Sequence, residues 1–129
     1  MKALHPVARL LIAGIFVLSG FHKLVGFAGT VTFVGSLGFP APLLFTVLAI
    51  VFELGGGLGL LIGFKTRWST LALIIFLLIA TFAVHVPMMK DPAKAQDQMV
   101  HVLKNLAILG GLLKFFLDGA GAYAVDRTA

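Results

Sequence analysis

The chain reads as four long apolar runs separated by short polar interruptions, from about Val7 to Phe27, Pro42 to Gly63, Trp68 to Pro87 and Met99 to Leu117. Each run has about the 20 residues that a helix rising 1.5 Å per residue needs to cross a hydrocarbon core of roughly 30 Å. The third run, which contains LALIIFLLIATFAV, shows no alternation of apolar and polar positions, so it is not a strand of a membrane barrel. None of the runs keeps the polar face that a helix of a water-soluble bundle turns to solvent. In hydrocarbon every backbone group must be satisfied within its own segment, which leaves the α-helix. The pattern therefore predicts an all-α integral membrane four-helix bundle with antiparallel neighbouring spans, one transmembrane domain over residues 1–129.

The breaks agree with these boundaries. Gly38, Pro40 and Pro42 precede the second run, and proline suits the first turn of a helix, where its missing amide would be unpaired anyway. Gly63 closes that run, and the link Phe64 to Arg67 is so short that spans two and three must form a hairpin. Pro87 and Pro92 bracket the end of the third run, and Lys90 to Gln98 is the most polar segment. The residues after Asp118 read as a frayed tail. The first run is read as a span and not as a cleaved leader, because Met1 to His5 is weakly basic and Phe21, His22 and Lys23 follow in place of a small-residue cleavage site.

Composition strengthens the membrane reading: 60% of residues are hydrophobic and 12% charged, against roughly 25% charged in a soluble domain. Orientation follows from lysine and arginine. With the N-terminus inside, the inner side carries Lys2, Arg9, Lys65, Arg67, Lys114 and Arg127, and the outer side Lys23, Lys90, Lys94 and Lys104. Both termini are expected in the cytoplasm. The net charge of +5 is dispersed and belongs with acidic headgroups; with no basic face or reading motif, nucleic acid is excluded as a partner. There is no cysteine, so thiol redox chemistry, thiolate-bound iron and cysteine zinc sites are ruled out. Gly55-Gly-Gly-Leu-Gly59 lacks the strand, lysine and hydroxyl of a phosphate loop, and reads as a close helix approach. No helix carries an H-x-x-x-H pair, and no metal site is assigned.

The candidate chemistry lies in the polar residues inside the runs. Glu53, the only glutamate, falls about 11 residues from either end of its span, where an uncompensated acid costs about 2.5 kcal/mol or more. Ser19, His22 and Lys23 are spaced by three and four residues and share one helix face; His101, Lys104 and Asn105 do the same on span four. With His85 near the end of span three, all of these fall in the outer half. They are expected to line a polar pocket with Glu53 at its floor, and Lys104 is expected to pair with Glu53. The bland alternative is that the lysines and histidines reach for the headgroup region.

The arrangement resembles the DoxX/DoxD-like small membrane proteins. The resemblance is carried by Arg9 to Lys23 (RLLIAGIFVLSGFHK), Glu53 to Arg67 (ELGGGLGLLIGFKTR), Phe82 to His85, and Lys104 to Leu113 (KNLAILGGLL). It covers nearly the whole chain, and the residues of the family pattern are present at Arg9, Ser19, Gly20, Lys23, Glu53, His85 and Lys104. Membership implies a multi-pass protein of the bacterial inner membrane, linked to membrane redox systems such as quinone-coupled oxidation. The implied role is an accessory subunit that supplies a quinone-headgroup or small-molecule site, with quinone as the suspected cofactor and no catalytic residue assigned. A small transporter or lipid-binding scaffold is the alternative for the same pocket. The partners that fit are membrane lipid, a redox partner protein and further copies of the chain in a homo-oligomer.

Overall fold

The computed structural model describes residues 1–126 and contains no strand among them. Four helices are long and apolar enough to span a membrane: α1 (Leu4–Val25), α3 (Pro42–Ile62), α4 (Thr66–Met88) and α5 (Ala95–Asp118). A short apolar helix, α2 (Phe27–Ser36), lies between α1 and α3. Its sequence, FAGTVTFVGS, is too short to span and too rich in glycine and β-branched residues to read as a helix from propensity alone. It forms because it packs against the start of α3, with Gly35 allowing Pro42 to approach.

The long helices pack through α1 with α3, α3 with α4 and α4 with α5, so neighbours in sequence are antiparallel neighbours in space. The core is apolar and small: Ala13 and Phe16 of α1, Leu60 of α3, Leu73, Ile74 and Leu77 of α4, and Leu112 of α5. Glycine sets the closeness of these contacts. A Cβ on Gly20 would stand 2.9 Å from Leu54 Cβ, and one on Gly57 would stand 3.1 to 3.2 Å from Val17 and Phe16, so α1 and α3 touch backbone to backbone. Gly56 and Gly59 serve α4 in the same way, whereas Gly55 faces open space and needs no such account.

Both central helices widen for one turn. Val51–Gly55 of α3 and Ala80–His85 of α4 are π-helical. Such turns accommodate an extra residue within an otherwise α-helical run and recur at functional sites. The turn in α4 sits directly before Pro87, which has no amide to give to the carbonyl four residues back. The helix nevertheless continues through the proline to Met88.

The bundle end that carries both termini is tightly tied. The expectation of a frayed tail after Asp118 is overturned, because Gly119 to Asp126 folds back across this end. Arg9, 1% exposed, donates from its guanidinium to the carbonyls of Ala120 (2.7 Å), Ala122 (3.0 Å), Tyr123 (2.6 Å) and Leu61 (3.4 Å). The planar five-donor fork is what makes four carbonyls reachable from one side chain. The amides of Val125 and Asp126 donate to the carbonyls of Ile62 and Gly63. Asp126 then caps α4: its carboxylate accepts from the Lys65 and Thr66 amides at 2.7 Å each and from the Thr66 hydroxyl at 2.6 Å. Partial desolvation pushes this carboxyl up, but the Thr66 and Lys65 bonds outweigh it and hold it below the usual carboxylate range. Composition concealed this clasp, since its acceptors are backbone carbonyls. Arg127, counted with the inner charges, lies outside the described residues.

Candidate functional site

At the opposite end the helices part around a cavity of about 620 Å³. Its floor is built on the π turn of α3, which carries Glu53 inward between α1 and α4; the residue is only 3% exposed. Lys23 of α1 meets it, donating to Glu53 Oε1 at 2.7 Å and to Ser19 Oγ at 2.8 Å, while its ammonium stands 5.5 Å from the centre of the Phe76 ring. Ser19 and Lys23 are one helical turn apart, which is why a single side of α1 supplies both.

The expected pairing of Glu53 with Lys104 is therefore corrected. Depth along the spans made Lys104 a candidate, but Lys23 is on the helix that the glycines bring into direct contact with α3. Lys104 lines the same cavity from α5 and has no carboxylate within 4.0 Å among the described residues.

The facing wall comes from α4 and α5. His85, on the second π turn, lies with Nδ1 2.6 Å from Gln98 Oε1, a contact that the Nδ1–H tautomer of the ring satisfies by donating. The His85 and His101 rings stack at 4.9 Å between centres and 15° between planes. Below them the Asn105 amide donates to the Thr81 hydroxyl at 3.0 Å, and Thr81 in turn donates to the Leu77 carbonyl. No buried polar side-chain atom among the described residues lacks a partner. The remaining lining is apolar apart from Thr30 and comes from α4, including Ile75, Phe76, Ile79 and Val84, and from the stretch running from α2 into α3, including Phe33, Phe39, Phe45 and Phe52.

Seven of the eight candidate residues thus line one cavity: Ser19, Lys23, Glu53, His85, His101, Lys104 and Asn105. His22 does not. It is exposed beside the cavity-lining face of α1, edge-on to Phe21. Reasoning from spacing missed Gln98, placed in the polar segment before span four, and Thr81, whose hydroxyl looks unremarkable in an apolar run. It also missed the aromatic roof under α2. Among the described residues no cluster of three metal-ligating side chains forms.

These features can be set beside known proteins. The DoxX family model matches residues 5–86, which span α1 through the second π turn and include Ser19, Lys23, Glu53 and His85. The chain belongs to the DoxX family. Inner membrane protein YqjF of Escherichia coli (strain K12) is 37% identical over 121 residues, covering 94% of this chain and 88% of its own. Inner membrane protein YphA of the same organism is 35% identical over 123 residues, covering 94% and 86%. No solved structure matches. This DoxX protein is a multi-pass protein of the bacterial inner membrane, as its four spanning helices and these relatives agree.

Proposed function

We propose that the protein is an accessory membrane subunit of a quinone-linked redox system and that its cavity receives the quinone headgroup. The observation that carries the reading is the Lys23–Glu53 pair, a salt bridge held at the floor of a membrane-embedded cavity instead of at a surface. An intramembrane ion pair facing a cavity is costly, and such pairs mark substrate or proton pathways.

The donor set fits a quinone. The Lys23 ammonium can turn a proton toward a ring carbonyl while Ser19 holds its other side, and the Glu53 carboxyl is the group that can take up or release the accompanying proton. Phe76 and Phe52 supply flat apolar walls, and about 620 Å³ lies within the range of small-molecule sites. A quinone bound there would supply the electron chemistry; the residues of this chain orient its carbonyl, exclude lipid from it and hold the proton. Electrons would come from a partner protein, since the chain has no cysteine for a thiolate-bound centre.

The test is thermal unfolding of the purified protein with decylubiquinone. Saturable stabilisation is expected in the wild type and its loss in Glu53→Gln. Equal stabilisation of both proteins, or none of the wild type, refutes the reading. The apolar roof under α2 favours one alternative, a lipid-binding scaffold, in which stabilisation would follow any single-chain lipid regardless of its headgroup.

A further inference from the structure

The geometry points to a second recognition element in the same cavity: the wall of His101, Lys104 and Gln98 binds the oxyanion head of a single-chain amphiphile, such as a free aliphatic or aromatic carboxylate. This goes beyond the redox reading, which rests on the floor and not on this wall.

The side chains lining the cavity that bear a full charge are Lys23, Lys104 and Glu53. Lys23 and Glu53 cancel one another at 2.7 Å, and Lys104 is left with no carboxylate within 4.0 Å among the described residues. Lys104 follows His101 by three residues, so both project from one side of α5. The Gln98 oxygen is occupied by His85, which leaves its amide hydrogens to donate, and the stacked His101 ring offers a further N–H. The wall is thus rich in donors and carries one uncompensated positive charge, and no acid faces it other than the committed Glu53. An oxyanion completes it, because charge-assisted bonds from ammonium and imidazole to a carboxylate are the stronger class.

The body of the ligand follows from the rest of the lining. Under α2 the cavity is walled by phenylalanine and aliphatic side chains, so the group attached to the head is apolar. The size of the cavity is that of a drug-sized molecule, which selects one chain over a two-chain phospholipid. A Lys104 that merely reaches for lipid headgroups would make none of these discriminations.

The probe is radiolabelled decanoate, bound to the protein in phosphatidylcholine nanodiscs and corrected for empty discs. Saturable binding is expected, displaced by unlabelled decanoate and not by decanol. Lys104→Met and His101→Gln should each weaken it by about ten- to a hundredfold, the worth of one hydrogen bond to a charged group. Thermal unfolding verifies that both variants are folded. Displacement by decanol at equal strength, wild-type affinity in Lys104→Met, or no saturable binding overturns the inference. Loss of the decanoate site in discs containing phosphatidylglycerol also overturns it, by assigning the wall to a phospholipid. The two readings separate because Lys104→Met should keep its stabilisation by decylubiquinone. Absent decanoate binding with that stabilisation intact sinks this inference alone, and the converse sinks the redox reading alone.

Discussion

Removing the Lys23 charge from beside Glu53 is the most incisive perturbation of this bundle. Glu53 is 3% exposed, and its carboxylate is paired with the Lys23 ammonium at 2.7 Å. Lys23→Met keeps the apolar stem and deletes the charge, leaving a buried acid uncompensated, for which losses of about 3 to 5 kcal/mol are typical. The Lys23 side chain is 29% exposed, so the pair is only partly buried, which places the expected loss near the low end, about 3 kcal/mol. Glu53→Gln should cost less, about 1 to 2 kcal/mol, because the amide oxygen still accepts from Lys23 and the ammonium retains Ser19. The double variant removes both charges, and its loss should fall short of the sum by about 2 kcal/mol, within the range for residues in contact. Reversible unfolding in mixed micelles of increasing dodecyl sulfate measures all four corners of the cycle. The companion cycle of Glu53→Gln with Lys104→Met should be additive to within about 0.5 kcal/mol. Additive losses for Lys23 with Glu53, together with coupling between Glu53 and Lys104, would refute the pairing.

Three further outcomes follow from the ends of the bundle. Asp126→Ala removes the cap of α4 and should cost about 1 to 2 kcal/mol; limited proteolysis should then cleave the tail after Asp118 faster than in the wild type. Because the folded Asp126 carboxyl is held below its ordinary value, its contribution is full above about pH 4 and is lost as pH falls further through the folded value, a loss that Asp126→Asn should not show. For orientation we propose both termini in the cytoplasm. A membrane-impermeant thiol reagent outside the inner membrane should modify Lys94→Cys and spare Phe64→Cys, both exposed positions in a cysteine-free chain. The opposite pattern refutes the placement.

The four spans were legible because hydrocarbon demands long apolar helices, and the structural bounds fall within about four residues of those read from hydropathy. The common cavity was legible too. Helical spacing put Ser19 with Lys23, and His101 with Lys104 and Asn105, on shared faces. What spacing along one helix cannot supply is azimuth between helices. That angle is fixed by which glycines meet which neighbours: Gly20 and Gly57 press α1 onto α3, and so Lys23 instead of Lys104 reaches Glu53. The tail was misread for a related reason. Small and polar residues suggest fraying when judged by their side chains, yet their carbonyls are what Arg9 binds. Helix α2 was hidden because tertiary packing, not propensity, holds it.

The two ends of the bundle are built for opposite purposes, and this division explains how a small chain keeps a cavity with a charged floor inside a membrane. In lipid the helices gain little from hydrophobic attraction to one another, so close packing and hydrogen bonds must hold them. At the end bearing the termini, Arg9 and Asp126 draw the tail, the α3–α4 turn and the start of α4 into one hydrogen-bonded unit. The glycine contacts of α3 with α1 and α4 continue that fixation to the middle of the bundle. Beyond them both central helices relax into π turns, and there the walls separate around Glu53 and His85. A cavity at the opposite end can remain open because the helices are already fixed at their other end. Loosening the Arg9 clasp should therefore reach the cavity through helix spacing, although no residue of the clasp lines it.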